Sequence, residues 1–318
     1  MFSPCLLKIW RWRRIPAQPP TILETRMLKP EVDSLVPGQT FDRRGFVKTA
    51  LGSAFAAAAL PVMAQQAIKT DFAGLSAGEV TIPSGGFSMP AYRAQPEGKK
   101  NLPVVLVVSE IFGVHEHIAD VCRRFAKLGY LAIGPELFAR QGDPQSFGTI
   151  QELQREVIAK VPDAQVMGDL DAAVAWAGAN GGDVSRLAIT GFCWGGRMTW
   201  LYAAHSKRLK AGVAWYGQLA PEPTPLKPKN PIDLVGQLHA PVLGLYGGKD
   251  TGIPLEQVER MKSALAASSD PDAKASRFIV YPESGHAFHA DYRPSYREAD
   301  ARDGWQKCLD WFRQHGVA

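Results

Sequence analysis

From about Gly78 onward the chain alternates two rhythms of apolar residues. Six short runs are apolar almost without interruption: PVVLVVSE (103–110), YLAIGPEL (130–137), RLAITG (186–191), AGVAWYG (211–217), PVLGLYGGKD (241–250) and SRFIVYPESGH (276–286). Such runs predict strands buried on both faces, because a strand with one wet face would alternate. Between them, residues 115–128, 168–177, 195–206, 254–265 and 296–314 space their apolar positions as helices with one packed side do. The order predicts an α/β fold, a mostly parallel central sheet with helices on both faces. Two earlier segments, 78–82 and 89–93, flank PSGGFS and predict an antiparallel hairpin at the N-terminal edge. A Pro-rich stretch at 220–234 is too short to separate domains and reads as a rim loop.

The first 64 residues break this pattern. DRRGFVKTALGSAFAAAALPVMAQQA (42–67) joins the pair Arg43 and Arg44 to Phe46, Lys48, an Ala-rich stretch and Val62-Met63-Ala64. It resembles a twin-arginine export signal, with cleavage expected after about Ala64, although Asp42 stands where Ser or Thr is usual. Its apolar part is too short and too rich in Ala and Gly for a stable membrane span in the mature form. Residues 1–26 fit neither a domain nor a compact signal, and Met27 opens a more conventional leader, so 1–26 read as a start-site artefact. The expected organisation is a leader at 1–64, a linker at 65–77 and one domain at 78–318. The expected location is periplasmic or secreted, with the twin-arginine machinery as export partner.

Charge follows the same division. The net +5 has nine of the 36 Lys/Arg and four of the 31 Asp/Glu in residues 1–64, which leaves 27 of each sign beyond them. A neutral domain without a basic run excludes a nucleic-acid partner. Past the leader, Cys122, Cys193 and Cys308 form no close pair and no zinc-like spacing, and their odd number keeps at least one out of any disulfide.

In open α/β sheets, chemistry gathers beyond the carboxyl ends of the strands. Here those positions hold Glu110, Glu136, Cys193, Tyr216, Asp250 and His286. Cys193 lies in Gly-x-Cys-x-Gly-Gly, the thiol version of a nucleophile elbow, where glycines permit a sharp strand-to-helix turn. A helix start behind the sulfur favours the thiolate. Asp250 and His286 follow at the next strand ends in the order nucleophile, acid, base. That order suits a histidine that moves the thiol proton and an aspartate that orients the ring. Each residue also has a plainer reading: a buried structural cysteine, a helix-capping aspartate, a satisfied loop histidine. His115, His117 and His289 raise the question of a metal, but His115 and His117, two apart on a predicted helix, are not expected to share a face, so neither metal nor cofactor is expected.

The segments SEIFGVHEHIADVCRRFAKLGYLAIGPELFARQG, GFCWGG, GGKDTGIP and GHAFHADYRPSY resemble the dienelactone hydrolase family of α/β-hydrolases, with similarity over about residues 79–312. The resemblance implies Cys193 as nucleophile, with Asp250 and His286 completing the triad. It also implies that Glu110 sits beside the resting thiol and helps to move its proton when substrate arrives. By position in the motifs, the backbone amides of Ile111 and Trp194 form the oxyanion hole. Family members acting on dienelactone carry an arginine four residues after the catalytic histidine, where this chain has Ala290. Arg293, Tyr216 and Phe112 are the candidate substrate-binding residues. Arg140 and Arg155 are further possible anion partners, and a surface ion pair is the plain alternative for Arg293.

Taken together, the residues predict a carboxylic ester hydrolase that opens a lactone or small ester through an acyl-thioenzyme. Two alternatives stay open: an exported esterase or acyl hydrolase of another substrate class, and a non-catalytic binding or thiol redox protein on the same fold.

Overall fold

The computed structural model describes residues 67–318, so the expected leader and the first two linker residues lie outside the described residues. Eight strands form one sheet in the order β1-β2-β4-β3-β5-β6-β7-β8. They are β1 (Leu75–Ser84), β2 (Phe87–Pro96), β3 (Leu102–Val108), β4 (Leu131–Pro135), β5 (Gly182–Phe192), β6 (Leu209–Trp215), β7 (Val242–Gly247) and β8 (Arg277–Tyr281). β1 pairs antiparallel with β2 and β2 antiparallel with β4, and every later pairing is parallel.

The N-terminal hairpin is longer and tighter than its sequence pattern suggests. Ser84 pairs with Phe87, so the connection is the two residues Gly85 and Gly86, at φ 55° and 78°. A two-residue turn with positive φ at both positions matches the twist of the strands it joins, and two glycines adopt it without strain. Pro83, Ser84, Phe87 and Ser88 are therefore released to pair.

At the centre of the sheet, β3 is buried along its whole length. Each fully buried aliphatic chain of this kind contributes roughly 1.5–3 kcal/mol, which explains why the central runs carry no polar alternation. The helices are α1 (Glu116–Lys127), α2 (Ile150–Glu156), α3 (Asp163–Ala179), α4 (Trp194–His205), α5 (Leu255–Ala267), α6 (Pro271–Ala275) and α7 (Glu298–Gln314). α3 begins five residues before its predicted start, and the short α2 and α6 hold too few turns for a periodicity to be read.

Connection handedness explains the two helical layers. From β3 the chain passes through α1 to β4 on one side, whereas from β5 it passes through α4 to β6 on the other. Right-handed crossovers in opposite directions place their helices on opposite faces. α7 joins α1, with Trp305 4.5 Å from Phe125 between ring centroids. The reversal falls between β3 and β5, and a crevice opens at such a switch point beyond the strand ends. Glu110 follows β3 and Cys193 follows β5, one on each side of it. Among the described residues no helix is long and apolar enough to cross a membrane.

Candidate active site

At the end of β5 the backbone turns abruptly. Cys193 has φ 53° and ψ −114°, a conformation disfavoured for a residue with a side chain, and α4 starts at the next residue. The turn is held by the Cys193 amide, which donates to the Trp215 carbonyl at 3.0 Å. It also needs space: a Cβ on Gly195 would stand 2.3 Å from the Val108 carbonyl oxygen, so only glycine lets the helix start lie against β3. Trp194, the first residue of α4, has an amide that cannot join the helix's own ladder. Its indole packs on Phe138 with ring centroids 4.6 Å apart. Ile111, the other expected oxyanion donor, is buried just beyond Glu110.

Asp250 and His286 meet from the loops that follow β7 and β8. His286 Nδ1 lies 2.8 Å from Asp250 Oδ2, with both side chains sealed from solvent. The other oxygen, Oδ1, accepts from the amides of Gly252 at 2.9 Å and Ile253 at 3.1 Å. Asp250 is therefore not the cap of α5, whose N-cap is Pro254. Its carboxylate is held from the backbone in the orientation that aligns the histidine ring. Tyr216 stands edge-on to that ring at 5.1 Å, with an unusual positive φ of 39° and a buried hydroxyl that has no protein partner among the described residues.

Across the crevice Glu110 is 1% exposed, and its Oε2 lies 3.2 Å from His115 Nε2. Burial pushes its carboxyl up, but His115, Arg293 and His117 together outweigh burial and hold it well below the ordinary carboxylate range. Burial in turn pushes the His115 imidazole down, and the attraction of Glu110 only partly opposes it. An ionised carboxylate can only accept, so His115 Nε2 is the donor in this contact. His115 and His117 do share a face, with stacked rings at 6.0 Å. The helical spacing argument fails because His115 is the extended N-cap of α1, outside the helical repeat. His117 Nδ1 is 3.1 Å from Asp291, which also receives Arg124 at 2.5 Å. Among the described residues no His, Cys, Asp and Glu side chains group as a metal-ligand set.

Arg293 is buried and forms no surface ion pair among the described residues. Its guanidinium lies over the rings of Phe112 at 4.9 Å and Tyr292 at 5.2 Å, and Nε donates to the Tyr292 hydroxyl at 3.0 Å. Both terminal nitrogens are buried without a protein partner among the described residues. Ala290, at the place of the family's usual arginine, is wholly buried. Arg140 is engaged by Asp169 and the Ser84 carbonyl, and Arg155 pairs with Glu156 in solvent, so neither reaches the crevice.

Glu136 belongs to the wall of the crevice. It accepts from the amides of Val114 at 2.7 Å and Phe138 at 3.5 Å, which braces the loop between β3 and α1. Burial raises its carboxyl to about 7. The contacts that sequence reasoning did not assign are those of His115 with Glu110 and of Tyr292 with Arg293. Both residues lie inside motifs already singled out, but only the folded loops turn them toward Glu110 and Arg293. A surface cleft of about 470 Å³ at the opposite end of the sheet, lined by residues such as Ser76, Glu97, Lys99 and Gly181, holds no cysteine and no histidine.

Comparison with known proteins agrees with this architecture. The dienelactone hydrolase family matches residues 89–316. A Methylorubrum extorquens protein described as "Putative carboxymethylenebutenolidase" is 58% identical over 289 residues, 91% of this chain and 98% of that protein. A Bradyrhizobium protein described as "Probable 2-oxo-3-(5-oxofuran-2-ylidene)propanoate lactonase" is 32% identical over 238 residues, 74% of this chain and 93% of its own. The crystal structure of a "Putative Dienelactone Hydrolase" from Klebsiella pneumoniae superposes with a TM-score of 0.73 at 57% identity, over 76% of this chain and 99% of that one. With the fold, the strand-end positions and these relatives in agreement, the chain belongs to the dienelactone hydrolase family and is a hydrolase of the α/β-hydrolase fold.

Proposed function

We propose that the protein hydrolyses a lactone or small carboxylic ester bearing a carboxylate, through Cys193 as nucleophile and an acyl-thioenzyme. The observation that carries this reading is the sealed His286–Asp250 contact of 2.8 Å, placed at the strand ends that follow a strained cysteine elbow. Substrate enters with its carboxylate toward Arg293, whose two unpartnered terminal nitrogens suit bidentate recognition. Glu110 is the first acceptor of the thiol proton, which His286 then holds as imidazolium beside Asp250. The sulfur attacks the carbonyl carbon, and the amides of Ile111 and Trp194 receive the oxyanion. Collapse breaks the acyl–oxygen bond, and His286 protonates the departing oxygen, which in a lactone stays tethered to the acyl group. His286 next takes a proton from water, hydroxide attacks the thioester, and the thiolate leaves and recovers that proton.

The name of the Bradyrhizobium relative describes a lactone ring joined to a propanoate, a substrate shape consistent with an arginine at the cleft. A thiol redox role has less support, because burial pushes the thiols of Cys122 and Cys308 far above the ordinary range and no disulfide joins the described cysteines. Hydrolysis of a panel of lactones and esters by wild type, Cys193→Ala and Cys193→Ser tests the proposal. We expect turnover by wild type and a loss of roughly 10⁴-fold or more in kcat for Cys193→Ala. A fully active Cys193→Ala would sink it.

The twin-arginine pattern at 42–64 supports export, with action in the periplasm or outside the cell. N-terminal sequencing of periplasmic protein should begin near Gln65. An intact Met1 or Met27 in a cytosolic fraction would refute export.

A further inference from the structure

The carboxylate of Glu110 is treated unequally by its surroundings. Oε2 faces His115 Nε2 at 3.2 Å, whereas Oε1 is buried with no protein partner among the described residues. A tight turn creates this asymmetry. The Gly113 amide donates to the Glu110 carbonyl at 3.4 Å, and the His115 amide to the Gly113 carbonyl at 3.0 Å. Gly113 sits at φ 73°, and a Cβ there would strike the Glu136 carboxylate that holds the Val114 amide. The chain therefore doubles back within five residues and lays the His115 ring on the carboxylate that precedes it. Tyr292, 5.0 Å away and edge-on, and His117, stacked behind, confine that ring.

We propose that His115 is the positioning residue for Glu110: its Nε2–H fixes Oε2 and leaves Oε1 as the oxygen that takes the Cys193 proton. The inference rests on the reading of Glu110 as first proton acceptor. A carboxylate free to rotate would have no preferred oxygen for the thiol and would pair with Arg293, which is needed for substrate. Held by the His115 ring, it keeps its charge and its direction until substrate arrives. When Glu110 takes the proton from sulfur, the S–H bond breaks, an O–H bond forms at Oε1, and His115 keeps its own proton throughout.

Other groups act on the same pair. Arg293 and His117 reach both Glu110 and His115, while Tyr216, Tyr292 and His289 lie within electrostatic range of Glu110. None of these five makes a hydrogen bond to Glu110 among the described residues, whereas His115 does.

The test is the pH profile of kcat/KM from pH 4 to 8 for wild type, His115→Gln, His115→Ala, His115→Phe and Glu110→Gln, each with a melting temperature. Glu110 must be ionised to accept the proton, and loss of its donor leaves burial less opposed. His115→Ala is therefore expected to bring the Glu110 acid limb, which in wild type lies below the scanned range, up into the pH 4–8 window and to lower kcat roughly 10- to 100-fold, with KM little changed. His115→Gln keeps an N–H donor and should retain the wild-type limb. His115→Phe keeps ring volume and should behave as His115→Ala, which separates the hydrogen bond from packing; either variant suffices if the other does not fold. An unmoved limb in the folded variant, or a His115→Gln limb displaced like that of His115→Ala, overturns the inference. If Glu110→Gln retains the wild-type rate, the role of Glu110 falls and His115 with it. If Glu110→Gln is inactive while His115→Ala is unchanged, only the role of His115 fails.

Discussion

The two walls of the crevice differ in how completely their polar groups are satisfied. On the β7–β8 side, Asp250 has both oxygens occupied, one by two backbone amides and the other by His286. On the β3 side, Glu110 Oε1 and both terminal nitrogens of the nearby Arg293 are buried without protein partners among the described residues. A buried polar atom left unpaired costs about 1–3 kcal/mol, so a fold retains several together only where something else completes their bonds. The satisfied wall is suited to repeated proton transfer in fixed geometry. The unsatisfied wall is suited to receiving a substrate's own polar groups.

Disturbing the satisfied wall should have the larger effect. Asp250→Asn keeps the shape but offers an N–H donor or a weaker acceptor to His286, and kcat should fall by roughly 10³- to 10⁴-fold with little change in KM. Steady-state kinetics on any accepted lactone checks this, and an unchanged kcat would remove Asp250 from the chemistry. On the other wall, Arg293→Ala should raise KM for a carboxylate-bearing lactone by about 10- to 100-fold, the worth of a hydrogen bond to a charged group. A neutral ester of similar size should be unaffected, so equal losses on both substrates would show that Arg293 only packs on Phe112 and Tyr292.

The smallest expected effect lies in the brace behind Glu110. The Glu136 carboxyl is raised to about 7 in the folded protein from an ordinary value of 4.5. As pH rises from 4.5 to 7 the unfolded chain loses this proton first, so stability falls across that window and levels off above it. Glu136→Gln removes the titration. Relative to wild type it should be near neutral at pH 4 and more stable at pH 8 by on the order of 2 kcal/mol, read from urea midpoints. Equal differences at both pH values would place the effect elsewhere.

Much of this contrast was legible before folding, but unevenly. The satisfied wall announces itself because each member stands at the end of an apolar run, and a run buried on both faces can only deliver its last residue to the sheet edge. Cys193, Asp250 and His286 follow from that rule. On the other wall Glu110 follows from the same rule, but its partners do not. Arg293 reads equally well as a surface ion-pair residue, and His115 reads as part of a helix. Both depend on loops, whose path is set by single positive-φ residues such as Gly113 and by contacts distant in sequence. The hairpin errs for a related reason: two glycines make the whole turn, and hydropathy cannot show how short it is.

By itself, then, the sequence determined the α/β layering, the strand-end positions of Cys193, Asp250 and His286, and the family they resemble, because periodic burial is a property of the local chain. Only the tertiary structure decided which buried polar atoms are satisfied, how His115 turns onto Glu110, and where Arg293 lies. Those outcomes depend on a few ångströms of loop geometry between segments that the sequence holds far apart, with Arg293 183 residues after Glu110.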